Sequence, residues 1–110
     1  GGDRDKSKRA PMGECATRLA DISVVTSDNP RTEDPMAIID AIVAGMQESK
    51  RPYVVIENRV EAIGWAMAHA QKDDVIVLCG KGHETYQEIG HEKHHLDERE
   101  VVASYLEANA

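Results

Sequence analysis

Four consecutive residues, Asp28-Asn29-Pro30-Arg31, set an anion, an amide, a rigid turn and a guanidinium side by side. A guanidinium grips a carboxylate through two parallel N–H···O bonds, and a carboxylate accepts from an ammonium, so Arg31 and Asp28 together suit an amino-acid zwitterion. The same residues also suit an Asx-turn with incidental charge, and local sequence leaves both readings open. A second group, Gly80-Lys81-Gly82-His83-Glu84, has glycines that permit close backbone approach and, in Glu84, another anion for an ammonium. It is not a nucleotide P-loop, which needs Gly, four residues, then Gly-Lys and Ser or Thr. Glycines at this place also serve simply to end a strand. The third group, Gly1 to Arg9, joins two glycines to Arg4, Lys6, Lys8 and Arg9, charges fit for phosphate or carboxylate. Taken alone, it has the composition of a solvated basic loop.

Other chemistries find less support. His91, His94 and His95 cluster, but no Cys or carboxylate stands at metal-ligand spacing beside them, and a histidine-rich surface hairpin accounts for the pattern. The formal net charge of -7 argues against a general grip on nucleic acid. No apolar run approaches a bilayer span, so no membrane insertion is expected. Two cysteines, Cys15 and Cys79, fit a reduced cytosolic chain and are expected in the core.

These loops must be positioned by secondary structure. The 110 residues, 41% hydrophobic and 30% charged, fit one globular domain able to bury about 60 to 70% of its unfolded surface. Met12, Cys15, Ala16 and Leu19 repeat at helical spacing behind Pro11, predicting a first helix. Ile22 to Thr26 reads as a strand stopped by the turn formers of residues 27–30. Asp34 and Pro35 open a helix with the stripe Ile38, Ile39, Ile42, Val43 and Met46. Tyr53 to Ile56 is the next strand, and Asn58 with Glu61 has capping-box spacing for a helix bearing Val60, Ile63 and Met67. The unbroken run Val75 to Leu78 predicts a strand covered on both faces. Tyr86 to Ile89 and Lys93 to His95 flank Gly90-His91 as a hairpin or pair of edge strands. Asp97 and Glu100 cap a last helix, which turns Val101, Val102, Tyr105 and Leu106 toward the sheet.

Strands alternating with amphipathic helices define an α/β, Rossmann-like three-layer domain: a mainly parallel sheet, helices on both faces and a C-terminal hairpin or edge strands. Ligands in such sheets collect at the carboxyl ends of the strands, where the three polar loops lie. A glycine-rich loop at residues 1–9 with no strand before it predicts at least one further strand of the same sheet upstream. The alternative makes Gly1 and Gly2 remnants of cloning.

Taken in order, GGDRDKSKR, TSDNPRTEDP and GKGHETYQ resemble the Mur ligase family, over essentially the whole chain. The DNPR segment resembles the recognition motif of its diaminopimelate-adding members. Ser7, where glycine is common, and Ala10 before the proline depart mildly from the pattern. The resemblance implies that residues 1–110 are the C-terminal domain of a longer cytoplasmic, bacterial ligase. It implies partners in meso-diaminopimelate, the UDP-linked muramoyl dipeptide UDP-MurNAc-L-Ala-D-Glu, ATP, and the N-terminal and central domains of the same chain. ATP and Mg2+ would be held mainly by the central domain, which would also supply the catalytic residues.

The same resemblance places Arg4, Asp28, Asn29, Pro30, Arg31, Gly80 and Glu84 at diaminopimelate-binding positions, with Asp3 and Lys8 on the nucleotide side. Arg31 would hold the distal carboxylate, Glu84 with the Gly80 carbonyl the distal ammonium, and Arg4 the carboxylate beside the reacting amine. Lysine would leave Arg31 unpaired, a penalty of roughly 1 to 3 kcal/mol. The residues by themselves are expected to lack ligase activity, since the reacting groups meet between domains. A lysine-adding ligase, a stand-alone small-molecule-binding module and a protein-interaction domain are the alternatives.

Overall fold

The computed structural model describes residues 1–109. A 3-10 turn at Lys6–Lys8 leads into α1 (Arg9–Leu19), β1 (Ser23–Val25), α2 (Pro35–Ala44), β2 (Tyr53–Val55), α3 (Arg59–His69), the hairpin strands β3 (Tyr86–Ile89) and β4 (Glu92–His95), and α4 (Glu98–Ala108). Strands β1 and β2 are parallel, with Ser23 opposite Tyr53 and Val25 opposite Val55. Parallel neighbours need a crossover, which α2 supplies, so the α/β layering follows from the alternation of elements. Strands β3 and β4 pair antiparallel around Gly90, whose φ of 63° suits the tight turn.

Helix starts lie where side chains can satisfy orphan N–H groups. Asp34 accepts from Met36 N at 3.1 Å and Pro35, lacking an N–H, takes the first helical position. Asn58 accepts from Glu61 N at 3.0 Å, and Asp97 from Arg99 N at 3.0 Å. The α2 stripe faces inward as its periodicity requires: Ile39 and Met46 join Val25 in the core, with Met36, Ile42 and Val43 packed around them.

Helix α1 departs from expectation. It begins at Arg9, and Pro11 falls within its first turn, where a missing N–H is harmless. Its buried residues are Arg9, Gly13 and Thr17, while Met12 is 50% and Leu19 74% exposed. The cause is backbone proximity: a Cβ on Gly13 would fall 2.0 Å from the Ile42 carbonyl oxygen, and one on Gly45 1.8 Å from that of Ala10. The glycine face therefore meets α2, and the apolar stripe is turned away.

Helix α4 packs on α3, not on the sheet as expected, with the Tyr105 ring facing Gly64 and Leu106 exposed. A larger correction concerns Val75 to Leu78, which form no ladder; Val75 is 85% and Val77 73% exposed. An extended run becomes a strand only by pairing, and among the described residues the edge of β1 away from β2 has no partner. The end of the run is nevertheless tied in. The buried Arg59 guanidinium donates to Ser27 O (3.1 Å), to Cys79 O (2.7 Å) and to the Glu98 carboxylate (3.0 Å). Cys79 is exposed and Cys15 half-buried, so neither is the core residue expected.

Candidate functional site

Two of the polar loops interlock beyond the end of β1. Gly2 N donates to Asn29 O at 2.7 Å, and a Cβ on Gly2 would lie 1.7 Å from the Pro30 carbonyl oxygen, so only glycine fits here. Asp3, at φ 58°, donates its N–H to Glu33 Oε2 (2.6 Å), while its carboxylate accepts from Thr32 Oγ1 (2.7 Å) and Thr32 N (3.3 Å). The buried Arg9 closes the knot, donating to Gly1 O (3.2 Å) and Glu33 Oε2 (2.8 Å). Donation from Arg9 and then from the Asp3 N–H, aided by the nearby Lys6 charge, holds the Glu33 carboxyl down at about 2.

The third loop enters through Lys81, whose side chain has no exposed surface. Its ammonium donates to Asn29 Oδ1 (2.8 Å), lies 2.7 Å from Asp28 Oδ1 and reaches within 3.6 Å of Glu84 Oε1. Asn29 is the second hub. Its Oδ1 also accepts from Glu88 N (2.9 Å), and its Nδ2 donates to Glu84 Oε1 (3.2 Å). Gly80, at φ 101°, brings its backbone against Asp28, with the Cβ position 3.6 Å from Asp28 Oδ2. Buried charges persist only when paired and hydrogen-bonded, and this ammonium has three oxygen partners.

Arg31 also has a left-handed backbone, φ 52°. It forms a parallel bridge to Ile89, donating its N–H to Glu88 O (3.1 Å) and accepting from Gly90 N (2.6 Å). Its side chain donates from Nε to Glu88 Oε2 (2.9 Å) and from one terminal nitrogen to Gly2 O (2.9 Å). Arg31 is thus a half-buried, partly satisfied cation. Arg4 is exposed, and its Cγ and the Arg31 guanidinium flank the same Gly1 Cα, at 3.5 and 3.3 Å from a Cβ built there.

The structure therefore brings Asp28, Asn29, Pro30, Arg31, Gly80 and Glu84 into one cluster with the Gly1–Arg4 segment. Asn29 and Pro30 are buried, so they build the cluster from within. Asp28 and Glu84 remain 28% and 30% exposed and can accept from an external ammonium, while Arg31 keeps donors for a carboxylate. Asp3 spends its carboxylate on Thr32, and Lys8 stands exposed at the start of α1. Sequence reasoning passed over Lys81, Glu33 and Glu88 as site residues. Lys81 had a signal, a cation between two glycines three positions before Glu84; Glu33 and Glu88 had none beyond their charge.

A family model described as "Mur ligase, glutamate ligase domain" matches residues 1–82. The chain belongs to the Mur ligase family. Among curated proteins it is 58% identical, over 96% of its length, to the UDP-N-acetylmuramoyl-L-alanyl-D-glutamate--2,6-diaminopimelate ligase of Caldanaerobacter subterraneus subsp. tengcongensis. It is 56% identical over 96% to ligase 1 of that name from Clostridium acetobutylicum, and 52% identical over 97% to the Clostridium tetani ligase. A solved structure of a UDP-N-acetylmuramoyl-L-alanyl-D-glutamate--2,6-diaminopimelate ligase superposes on 99% of the chain with a TM-score of 0.94 at 42% identity. The chain spans 22% of the length of each of these four proteins.

Proposed function

We propose that these residues are the amino-acid-binding C-terminal domain of MurE, the ligase that joins meso-diaminopimelate to UDP-MurNAc-L-Ala-D-Glu at the expense of ATP. The observation carrying this reading is the convergence of a partly exposed guanidinium, Arg31, with two partly exposed carboxylates, Asp28 and Glu84, around buried Lys81 and Asn29. That arrangement matches a zwitterion: Arg31 takes the distal carboxylate, Glu84 with the Gly80 carbonyl takes the distal ammonium, and Arg4 takes the carboxylate beside the reacting amine. The names of the relatives support the same substrate.

In the proposed reaction ATP phosphorylates the D-glutamate carboxylate, giving an acyl phosphate and ADP. The diaminopimelate amine attacks the acyl carbon and loses a proton, and the tetrahedral intermediate collapses to the amide with release of phosphate. The present residues hold and orient the nucleophile, which converts a bimolecular encounter into a positioned one. Lys8 is the residue free to reach the nucleotide side, whereas Asp3 there acts mainly by bracing the loop. Magnesium and ATP are assigned mainly to the central domain, as the resemblance to the family implies. A UDP-linked substrate and ATP place the reaction in the bacterial cytoplasm.

We also propose that a strand outside these residues fills the sheet between β1 and residues 75–78. The unpaired β1 edge and the exposed apolar run support it, with Arg59 bridging the ends of both. On this account the 110 residues alone have no ligase activity, and turnover by them alone would disprove it.

Because Arg31 already bonds Glu88 and Gly2, lysine does not strand a bare cation. It forfeits the hydrogen bonds that the remaining guanidinium donors would make, and discrimination rests on those. The test is ATP-dependent ligation by the full-length enzyme with meso-diaminopimelate or L-lysine. Arg31→Ala is expected to lose about ten- to hundredfold in kcat/KM for diaminopimelate and little for lysine. Equal use of lysine by the unmutated enzyme would favour the lysine-adding reading instead.

A further inference from the structure

Glu88 lies outside every segment that the sequence marks as functional, in a run that reads as plain strand. It nevertheless makes three separate bonds to the loop of residues 28–31. Its N–H donates to Asn29 Oδ1, its carbonyl accepts from Arg31 N, and its carboxylate accepts from Arg31 Nε. The two backbone bonds, with that from Gly90 N to Arg31 O, fix the Arg31 main chain at φ 52°, a conformation a non-glycine residue keeps only when its surroundings enforce it. They leave the side chain free to turn. The carboxylate removes that freedom.

A guanidinium offers five N–H donors in one rigid plane. Glu88 takes the one on Nε at 2.9 Å, and the Gly2 carbonyl takes one at a terminal nitrogen, also at 2.9 Å. Held at two points on its plane, the group can no longer rotate, and three terminal donors remain for a ligand. The carboxylate also cancels the charge of Arg31, so what this end of the pocket presents is directed hydrogen bonding, not an unpaired positive field.

We infer that Glu88 is a positioning residue for substrate selection: its carboxylate sets the plane of Arg31, and the remaining N–H donors recognise the distal carboxylate of the amino-acid substrate. The inference rests on the reading of Arg31 as the carboxylate holder. Its acceptor geometry matters more than its charge.

The experiment compares Glu88→Ala, Glu88→Gln and Arg31→Ala in the full-length ligase, measuring KM and kcat for meso-diaminopimelate, KM for ATP, and thermal unfolding. Glu88→Ala is expected to raise KM for diaminopimelate about tenfold, with kcat and the KM for ATP within about twofold of the unmutated enzyme. Glu88→Gln keeps an oxygen that can accept from Nε and is expected to restore most of that loss. If Gln behaves like Ala, charge and not orientation is what Glu88 supplies, and the inference fails. A lowered KM in Glu88→Ala would show the carboxylate competing with substrate, which also overturns it. If Arg31→Ala raises KM while Glu88→Ala does not, this inference alone falls; if Arg31→Ala has no effect, the reading of Arg31 falls with it. Should Glu88→Ala unfold early, Glu88→Leu, which fills the space without offering an acceptor, takes its place, and a KM for diaminopimelate equal to that of the Gln variant overturns the inference.

Discussion

Lys81 shows how one buried residue can gather a cluster of polar side chains around itself. A fully buried ammonium is tolerated because Asp28, Asn29 and Glu84 surround it with oxygen, and those residues are thereby drawn together from loops about fifty positions apart in the chain. Lys81→Met would leave two carboxylates facing each other without a cation. The expected loss is about 2 to 4 kcal/mol in urea unfolding, below that for a wholly enclosed pair because both acids are partly exposed. A loss under about 0.5 kcal/mol would mean that the carboxylates already find other partners. Glu33 gives a pH signature. Its carboxyl lies at about 2 in the folded chain against 4.5 when unperturbed, so the unfolded state binds the proton more readily. The stabilisation is complete above about pH 4.5 and drains away as pH falls toward 2. Glu33→Gln is expected to flatten stability across that window in acid titrations monitored by circular dichroism.

At the scale of elements, the contact between α1 and α2 is governed by what is missing from two positions. Gly13 and Gly45 allow carbonyls of the facing helix end to approach within a distance no Cβ can occupy. Gly45→Ala and Gly13→Ala are each expected to lower stability by about 1 to 3 kcal/mol, although alanine favours helix, because the backbones must move apart. Unfolding midpoints equal to or above that of the unmutated chain would show that the pair can separate freely. The capping residues behave differently. Asp34, Asn58 and Asp97 each satisfy an N–H in their own first turn, a purely local bond, and all three helix starts were readable from the chain.

For the whole molecule, the sheet is the deciding feature. Two parallel strands and a separate hairpin are present, while the most apolar run of the sequence lies exposed and unpaired. If a strand preceding residue 1 completes the sheet, amides of residues 75–78 exchange rapidly in the 110-residue chain and become protected once that strand is included. Hydrogen exchange on the two lengths reads this directly. Slow exchange in the short chain, or no change in the longer one, would show that the run needs no such neighbour.

The sequence by itself determined the starts of α2, α3 and α4, the β–α alternation, the hairpin and the three loops that carry charge, because each depends on residues within one or two turns of one another. It also offered Arg4, Asp28, Asn29, Pro30, Arg31, Gly80 and Glu84 as candidate binding residues, from the chemistry of their loops and their resemblance to a family, and the fold draws them together. The inward face of α1, the docking of α4 on α3, the lack of a ladder at 75–78 and the contacts of Lys81, Glu33 and Glu88 were decided only by tertiary structure. The physical reason is common to them: close backbone approach, strand pairing and the satisfaction of a buried charge depend on partners distant in the chain. Nothing in the spacing of nearby residues names those partners.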